Sequence, residues 1–168
     1  MQSNIYSMEK LTAFVSEHIG DDTTRLIMNR AKWPEIDMDM AVNCIESRRK
    51  LKGKVQEWCD EPALVFPRKL SAEQCSSSAT GIYKAELAAK IAGLDSNYKT
   101  SSSSSSSSPV PTGHPGGNGW KIADLTGGLG VDSWFFSKKA GQVMYCEMLP
   151  ELCNAAKHNY AILGADNI

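Results

Sequence analysis

The sequence has no long apolar run. Its longest uninterrupted stretch is four apolar residues, or five with a proline, as at Ala63 to Pro67, whereas about 20 are needed to cross a bilayer. The N-terminus also lacks a basic segment leading into an apolar one, which a secretory signal requires. We therefore expect no membrane contact and a cytoplasmic location.

Paired cysteines are absent too. The five cysteines are odd in number and scattered, with no C-x-x-C pair that would predict a zinc knuckle or a redox site. They are Cys44, Cys59, Cys75, Cys146 and Cys153. The pattern predicts free thiols, mostly buried, and no metal site.

The chain has no excess of positive charge. Its 18 Lys and Arg against 19 Asp and Glu give a net charge of −1, which removes the simplest argument for nucleic-acid binding. With 42% hydrophobic and 22% charged residues in 168, the composition excludes a disordered chain and fits a globular protein.

One local cluster of cations remains. The segment from Arg48 to Lys54 places five cations in seven residues and could contact the phosphates of an RNA. Because Glu46 and Glu57 flank it and no aromatic residues interleave with it to stack on bases, a solvated helix face is the favoured interpretation.

A low-complexity stretch divides the chain. Residues 96–119 include the serines 101–108 and are rich in proline and glycine, so they cannot bury enough surface to offset their ordering entropy. We predict a disordered linker between a region 1–95 and a region 120–168. A phosphorylated or regulatory serine tract is the less favoured interpretation.

The first region has apolar residues at helical spacing and is predicted to be mostly α. Acidic N-caps at Asp21-Asp22 and near Asp37 begin two of its helices. The expected elements are a helix around Leu11–Ile19, one after Asp22, a long one from Asp37 through Trp58, a short extended piece at Leu64–Phe66, and a helix opened by a capping box at Ser71–Gln74 and running to Gly93.

The second region changes to an α/β rhythm. Strand, glycine turn, helix, strand and helix in that order open a doubly wound parallel sheet. The predicted elements are a strand Trp120–Asp124, a turn 125–130, a helix Val131–Lys139, a strand Gln142–Glu147, a helix from Pro150 to about Leu163, and the approach to a third strand at Asp166–Ile168.

The glycine turn predicts a cofactor that contains adenosine. Glycines let the backbone approach a ligand closely, and the N-terminus of the following helix presents N–H groups to an anion. Glu147, at the end of the second strand, is placed to accept hydrogen bonds from both hydroxyls of a ribose.

Two cofactors compete for this turn. The dinucleotide pattern G-x-G-x-x-G aligns at Gly128 and Gly130 but meets Ser133 in place of its third glycine. Asp124 would repel a pyrophosphate but suits the ammonium group of S-adenosylmethionine. A fragment of an NAD(P)-dependent Rossmann oxidoreductase and a non-enzymatic helical interaction module remain the alternatives.

Two segments resemble the class I S-adenosylmethionine-dependent methyltransferases. Ala123–Asp132 is similar to their first motif and Val143–Met148 to their second. Farther upstream, Ser71–Glu86 resembles a bacterial group with a helical N-terminal region and a C-terminal THUMP-like domain. That group is related to the RNA cap guanine-N2 methyltransferases (trimethylguanosine synthases).

The resemblance implies a set of cofactor-binding residues. The methionine part would be held by Asp124, Thr126, Gly127, Gly128 and Gly130, the ribose by Glu147, and the adenine face by Met148. Four more residues stay open between pocket contacts and helix capping or surface charge: Ser77, Thr80, Lys84 and Asp132. His158, Asn159 and Tyr160 are expected on the surface and in the packing of the last helix.

The resemblance also implies an activity and a Rossmann-like class I sheet. Such enzymes transfer a methyl group, here to a nitrogen of an RNA base, and need a later motif, an Asn or Asp followed by Pro-Pro, to orient the acceptor. That motif does not occur before Ile168. We therefore expect 120–168 to be a partial domain, the chain to be C-terminally truncated, and its catalytic residues to lie beyond it.

Overall fold

The structure is a computed structural model that describes residues 2–92 and 119–168, with side chains in the first helix from Met8 onward. The predicted linker 96–119, apart from Gly119, lies outside the described residues.

The first region is helical, as predicted. Asp22 and Asp37 act as N-caps, since their carboxylates accept hydrogen bonds from backbone N–H groups in the first turns of the helices that follow them. The elements are α1 (Gln2–Glu17), α2 (Thr23–Met28), a 3-10 turn (Arg30–Lys32), α3 (Met38–Leu51), α4 (Gln56–Cys59), α5 (Lys69–Gln74) and α6 (Ser78–Ile91).

Two predicted helices were wrong in their bounds. The long third helix ends at Leu51 because the chain reverses at Gly53, whose φ of +74° favours glycine, and Trp58 lies on the separate helix α4. Ser71 does not open a helix to Gly93 but lies within the short α5. Ser77 begins the next helix instead, with its Oγ accepting a hydrogen bond from Thr80 N at 3.2 Å.

Leu64–Phe66 is buried but forms no strand within the described residues. Its backbone pairs with a side chain: Val65 N donates to Asn159 Oδ1 and Asn159 Nδ2 donates to Val65 O, both at 2.9 Å. One amide thus supplies the donor and the acceptor that a neighbouring strand would otherwise provide.

The second region follows the predicted order. It contains β1 (Lys121–Asp124), α7 (Val131–Ser137), β2 (Gln142–Tyr145) and α8 (Pro150–Ile162). The two strands are parallel, with Ile122 opposite Val143 and Asp124 opposite Tyr145. After α8 the chain returns to β2, where Val143 N donates to Asn167 O at 2.8 Å.

One continuous hydrophobic core joins the two regions. The indole of Trp58 lies 6.2 Å from the ring of Phe66 and 5.9 Å from that of Trp134 on α7, measured between centroids. The helical region is therefore packed against the helices that cover the small sheet.

Three cations of the cluster make structural contacts. The solvated helix face expected there was wrong for Arg48, which is buried, whereas Arg49, Lys50 and Lys52 are exposed. Arg48 is only 8% exposed, and its guanidinium donates to four backbone carbonyls between 2.8 and 3.1 Å, those of Cys59, Glu61, Pro62 and Leu64. Arg49 donates to Ile19 O and Asp21 O, and Lys54 to Ala72 O and Glu73 O. Arg48 and Arg49 therefore fix loops around α3, and Lys54 fixes the helix α5.

The five cysteines are free thiols, as predicted, but Cys44 is the only one that is fully buried. Burial raises the pKa of the Cys44, Cys59 and Cys75 thiols. In residues 2–92 and 119–168, no helix combines the length and apolar character of a membrane span. The same residues contain no group of three or more His, Cys, Asp or Glu side chains that could hold a metal ion.

Candidate functional site

The candidate site lies where the two parallel strands end. Cys146 N donates to Asp124 O at 2.9 Å and Gly127 N donates to Cys146 O at 2.8 Å, so the strand pairing continues into the glycine turn. Because the carboxyl ends of parallel strands share one edge, Asp124 and Glu147 are brought to the same side of the sheet.

Two positions of the turn leave no room for a side chain. A Cβ on Gly127 would lie 2.2 Å from the Tyr145 ring, and a Cβ on Gly130 would lie 2.3 Å from the Tyr160 hydroxyl. Gly130 also has a φ of +94°, a backbone conformation that favours glycine. Glycine is therefore required at these two positions by the packing beneath the turn.

Two tyrosines hydrogen-bond to carbonyl groups of the glycine turn. Tyr145 Oη donates to Gly128 O at 2.7 Å and Tyr160 Oη donates to Gly130 O at 3.0 Å, with the rings meeting edge to face at 5.8 Å. Burial raises the pKa of both phenols, which keeps them neutral donors. The sequence predicts packing for Tyr160, whereas it does not single out Tyr145. The position of Tyr145 at the end of β2, two residues before Glu147, is the available signal.

The carboxylate of Asp124 is fixed by its own turn and by α7. Oδ1 accepts a hydrogen bond from Thr126 N at 3.3 Å, and Oδ2 accepts one from Ser133 Oγ at 2.7 Å. Ser133 is fully buried. Sequence reasoning noted this serine only as a missing glycine and missed its contact with the carboxylate.

Glu147 closes the other side of the turn. Its Oε2 accepts from Gly128 N at 3.0 Å, and its Oε1 accepts from Met148 N and Leu149 N at 2.6 and 2.9 Å. The neighbouring Met148 side chain is 91% exposed, and Leu125, at the end of the other strand, is 74% exposed. Each carboxylate is thus followed by an exposed apolar side chain.

Four N–H groups of the turn already have protein acceptors. Gly130 N donates to Gly127 O at 2.8 Å, and the N–H groups of Thr126, Gly127 and Gly128 make the contacts given above. Two of the acceptors are carboxylates. The turn is therefore a neutral backbone loop clamped between two negative groups.

The upstream candidates separate into two pairs. Ser77 caps α6, and its hydroxyl lies 3.0 Å from that of Thr80. Lys84 instead reaches α7, where its Nζ is 2.7 Å from Asp132 Oδ2. Ser77 and Thr80 therefore take part in helix capping, whereas Lys84 and Asp132 form an ion pair between two helices.

The three residues singled out on α8 make packing contacts, as predicted. His158 Nε2 lies 3.0 Å from Ala63 O, and Asn159, which is fully buried, holds Val65. Tyr160 lies under the turn.

Comparison with known proteins gives one informative similarity. No family model and no curated protein matches the sequence. Among solved structures, a protein of Porphyromonas gingivalis W83 named "putative methyltransferase" is similar at a TM-score of 0.65 and 25% sequence identity. The alignment covers 93% of this chain but 32% of that one. The similarity supports a methyltransferase fold for the chain, in which a small parallel sheet is covered by helices.

Proposed function

We propose that the chain is the cofactor-binding portion of a class I methyltransferase and binds S-adenosylmethionine. One observation carries the proposal: carboxylates at the ends of two adjacent parallel strands, Asp124 and Glu147, enclose a glycine turn that has no room for side chains at Gly127 and Gly130. The similarity to the Porphyromonas protein supports the same reaction class.

The residues present fit this cofactor. Asp124 would hold the ammonium group, and Glu147 would accept hydrogen bonds from the ribose hydroxyls. The backbone from Thr126 to Gly130 would lie along the methionine part. Met148 and Leu125, both highly exposed although apolar, would pack on the adenine, which favours flat apolar contacts.

The geometry disfavours the dinucleotide alternative. A pyrophosphate binds such a turn through N–H groups that point at it, but four N–H groups of this turn are used by protein acceptors. Two of those acceptors are the carboxylates of Asp124 and Glu147, which would repel the phosphate charges. S-adenosylmethionine is repelled less, because its single carboxylate is accompanied by two cationic groups, the ammonium and the sulfonium.

The contacts of Glu147 predict which hydrogen bond breaks when the ligand binds. Three backbone N–H groups occupy three of its roughly four lone-pair positions. Two ribose hydroxyls therefore require the release of at least one of them. We expect the Gly128 N–H to be released, because it alone joins Glu147 to a different segment of the chain.

When bound, S-adenosylmethionine would supply an electrophilic methyl group, whose carbon a nucleophilic nitrogen can attack while the C–S bond breaks and neutral S-adenosylhomocysteine leaves. The chain's own residues contribute binding and orientation, which is the main requirement of this chemistry. A nitrogen of an RNA base is the proposed acceptor, and membership of the THUMP-like group related to the cap guanine-N2 methyltransferases is proposed with it. Both rest on the resemblance of Ser71–Glu86.

Titration calorimetry of the full chain with S-adenosylhomocysteine tests the proposal. We expect saturable binding that weakens at least about tenfold in Glu147→Gln, because a neutral amide is a poorer acceptor for ribose hydroxyls. Glu151→Gln is the matched control, since Glu151 lies four residues farther along the chain, in the first turn of α8, and pairs with Arg68. Absence of binding, equal loss in both variants, or preferential binding of NADH would each overturn the assignment.

A further inference from the structure

Helices α6 and α7 contact each other at two points, which are three residues apart on each helix and follow in opposite order along the two helices. Gly81 faces the Phe135 ring, which lies 2.1 Å from where a Cβ on Gly81 would be. Three residues farther along α6, Lys84 pairs with Asp132, which is three residues before Phe135. One apolar and one polar contact thus fix α7 against the helical region.

The polar contact has three members from three elements. Lys84 Nζ lies 2.7 Å from Asp132 Oδ2 and donates to Ser76 Oγ at 2.9 Å. Ser76, in the loop between α5 and α6, donates in turn to Asp132 Oδ2 at 3.0 Å. Lys84 therefore binds the carboxylate both directly and through a neighbouring hydroxyl.

Asp132 depends strongly on this contact. Its side chain is 25% exposed, and its buried Oδ1 has no hydrogen-bond partner among the described residues. A partly desolvated carboxylate with one unpaired oxygen is costly, so loss of its cation would favour movement of the residue towards solvent.

Movement of Asp132 would be transmitted to the turn. Asp132 lies in the first turn of α7, two residues after Gly130 and next to Ser133, which holds Asp124. A shift of this helical turn would alter the Ser133–Asp124 hydrogen bond and the backbone of Gly130 together.

We infer that Lys84 is a positioning residue: through Asp132 it fixes the first turn of α7 and thereby the geometry of the glycine turn. The inference rests on the proposed function in so far as the turn binds the cofactor. The positioning itself is a property of the free protein and can be measured without a ligand.

Amide hydrogen exchange in the full chain, resolved by NMR, tests the positioning. In Lys84→Met we expect the Gly128 and Gly130 amides to exchange about threefold faster, an effect in the range of a partly exposed ion pair. Lys69→Met is the matched control, because the Lys69–Glu46 pair has side-chain exposures of 45% and 21%, close to the 43% and 25% of Lys84 and Asp132. Lys84→Arg should restore the wild-type rates.

A second variant and a ligand measurement complete the design. Asp132→Asn keeps the side-chain shape, and combined with Lys84→Met it should add little further exchange, because both changes break one contact. The Kd of S-adenosylhomocysteine should rise about threefold in Lys84→Met and stay unchanged in Lys69→Met.

The two hypotheses fail in different ways. Unchanged exchange at Gly128 and Gly130 in Lys84→Met, or the same increase in Lys69→Met, would overturn the positioning role whatever the chain binds. A wild-type chain that does not bind S-adenosylhomocysteine would overturn the proposed function, while the exchange rates would still decide the role of Lys84.

Discussion

Ser133 Oγ donates a 2.7 Å hydrogen bond to Asp124 Oδ2, joining the first helix of the small α/β unit to the end of its first strand. The serine is fully buried, whereas Asp124 is half-buried at the edge of the sheet. The hydrogen bond holds the carboxylate in one orientation at the edge where the two strands end.

Replacement of this serine should affect both stability and ligand binding. Ser133→Ala removes a buried donor to a charged acceptor, and we expect the free energy of unfolding to fall by about 2 kcal/mol, with several-fold weaker binding of S-adenosylhomocysteine. Ser137→Ala is the control, because its hydroxyl bonds a carbonyl of the same helix, Trp134 O. Urea unfolding and calorimetry measure the two effects; equal losses in both variants would contradict the role of Ser133.

The close contact of Gly130 with Tyr160 predicts a specific steric defect. Gly130→Ala adds a methyl group where the Tyr160 hydroxyl lies, whereas Gly164→Ala meets nothing within 4 Å although both glycines have positive φ. We expect Gly130→Ala to destabilise the chain by about 2 kcal/mol more than Gly164→Ala. Tyr160→Phe in the Gly130→Ala background should recover part of the loss, and thermal unfolding would show whether it does.

The two tyrosines under the turn predict a loss of stability at alkaline pH. Burial raises the pKa of Tyr145 and Tyr160 above the ordinary value of 10.0, so their contribution is fully present below about pH 10 and is lost as the pH rises beyond it. The variant Tyr145→Phe/Tyr160→Phe should have a flatter stability profile above pH 10. Urea titrations across this pH range measure the profile, and a double variant that loses stability as steeply as the wild-type chain would contradict the prediction.

Replacement of Arg48 should lower the stability of the chain strongly, although arginine is a residue type that usually lies on the surface. Arg48→Met removes a donor from four carbonyl groups, one of which, Glu61 O, keeps Leu64 N as a second donor. We therefore expect the free energy of unfolding to fall by at least about 3 kcal/mol. Arg49→Met, which removes a neighbouring and more exposed arginine, should cost less than half as much. Urea denaturation separates them, and similar losses would contradict the structural role of Arg48.

Local patterns were sufficient to predict most of the elements. Asp22 and Asp37 were recognised as caps because a cap is a contact within four residues. The order strand, glycine turn, helix and strand was equally readable, since Gly127, Gly128 and Gly130 punctuate it. Two predicted helix bounds were wrong because the signals that set them are weak. The chain reverses at Gly53, which ends the third helix early, and the last helix of the first region is capped at Ser77 instead of beginning at Ser71.

Local sequence patterns specify the α/β order of the second region, the helical character of the first, and the carboxylates that flank the glycine turn. Long-range packing specifies which groups those carboxylates bind, the position of Tyr145 and Tyr160 against the turn, and the internal contacts of Arg48 and Lys84. The reason is physical: propensities and caps act over a few residues, whereas hydrogen bonds such as Val65 to Asn159 join groups 94 positions apart. A pattern of residue types cannot specify such partners until packing brings them together.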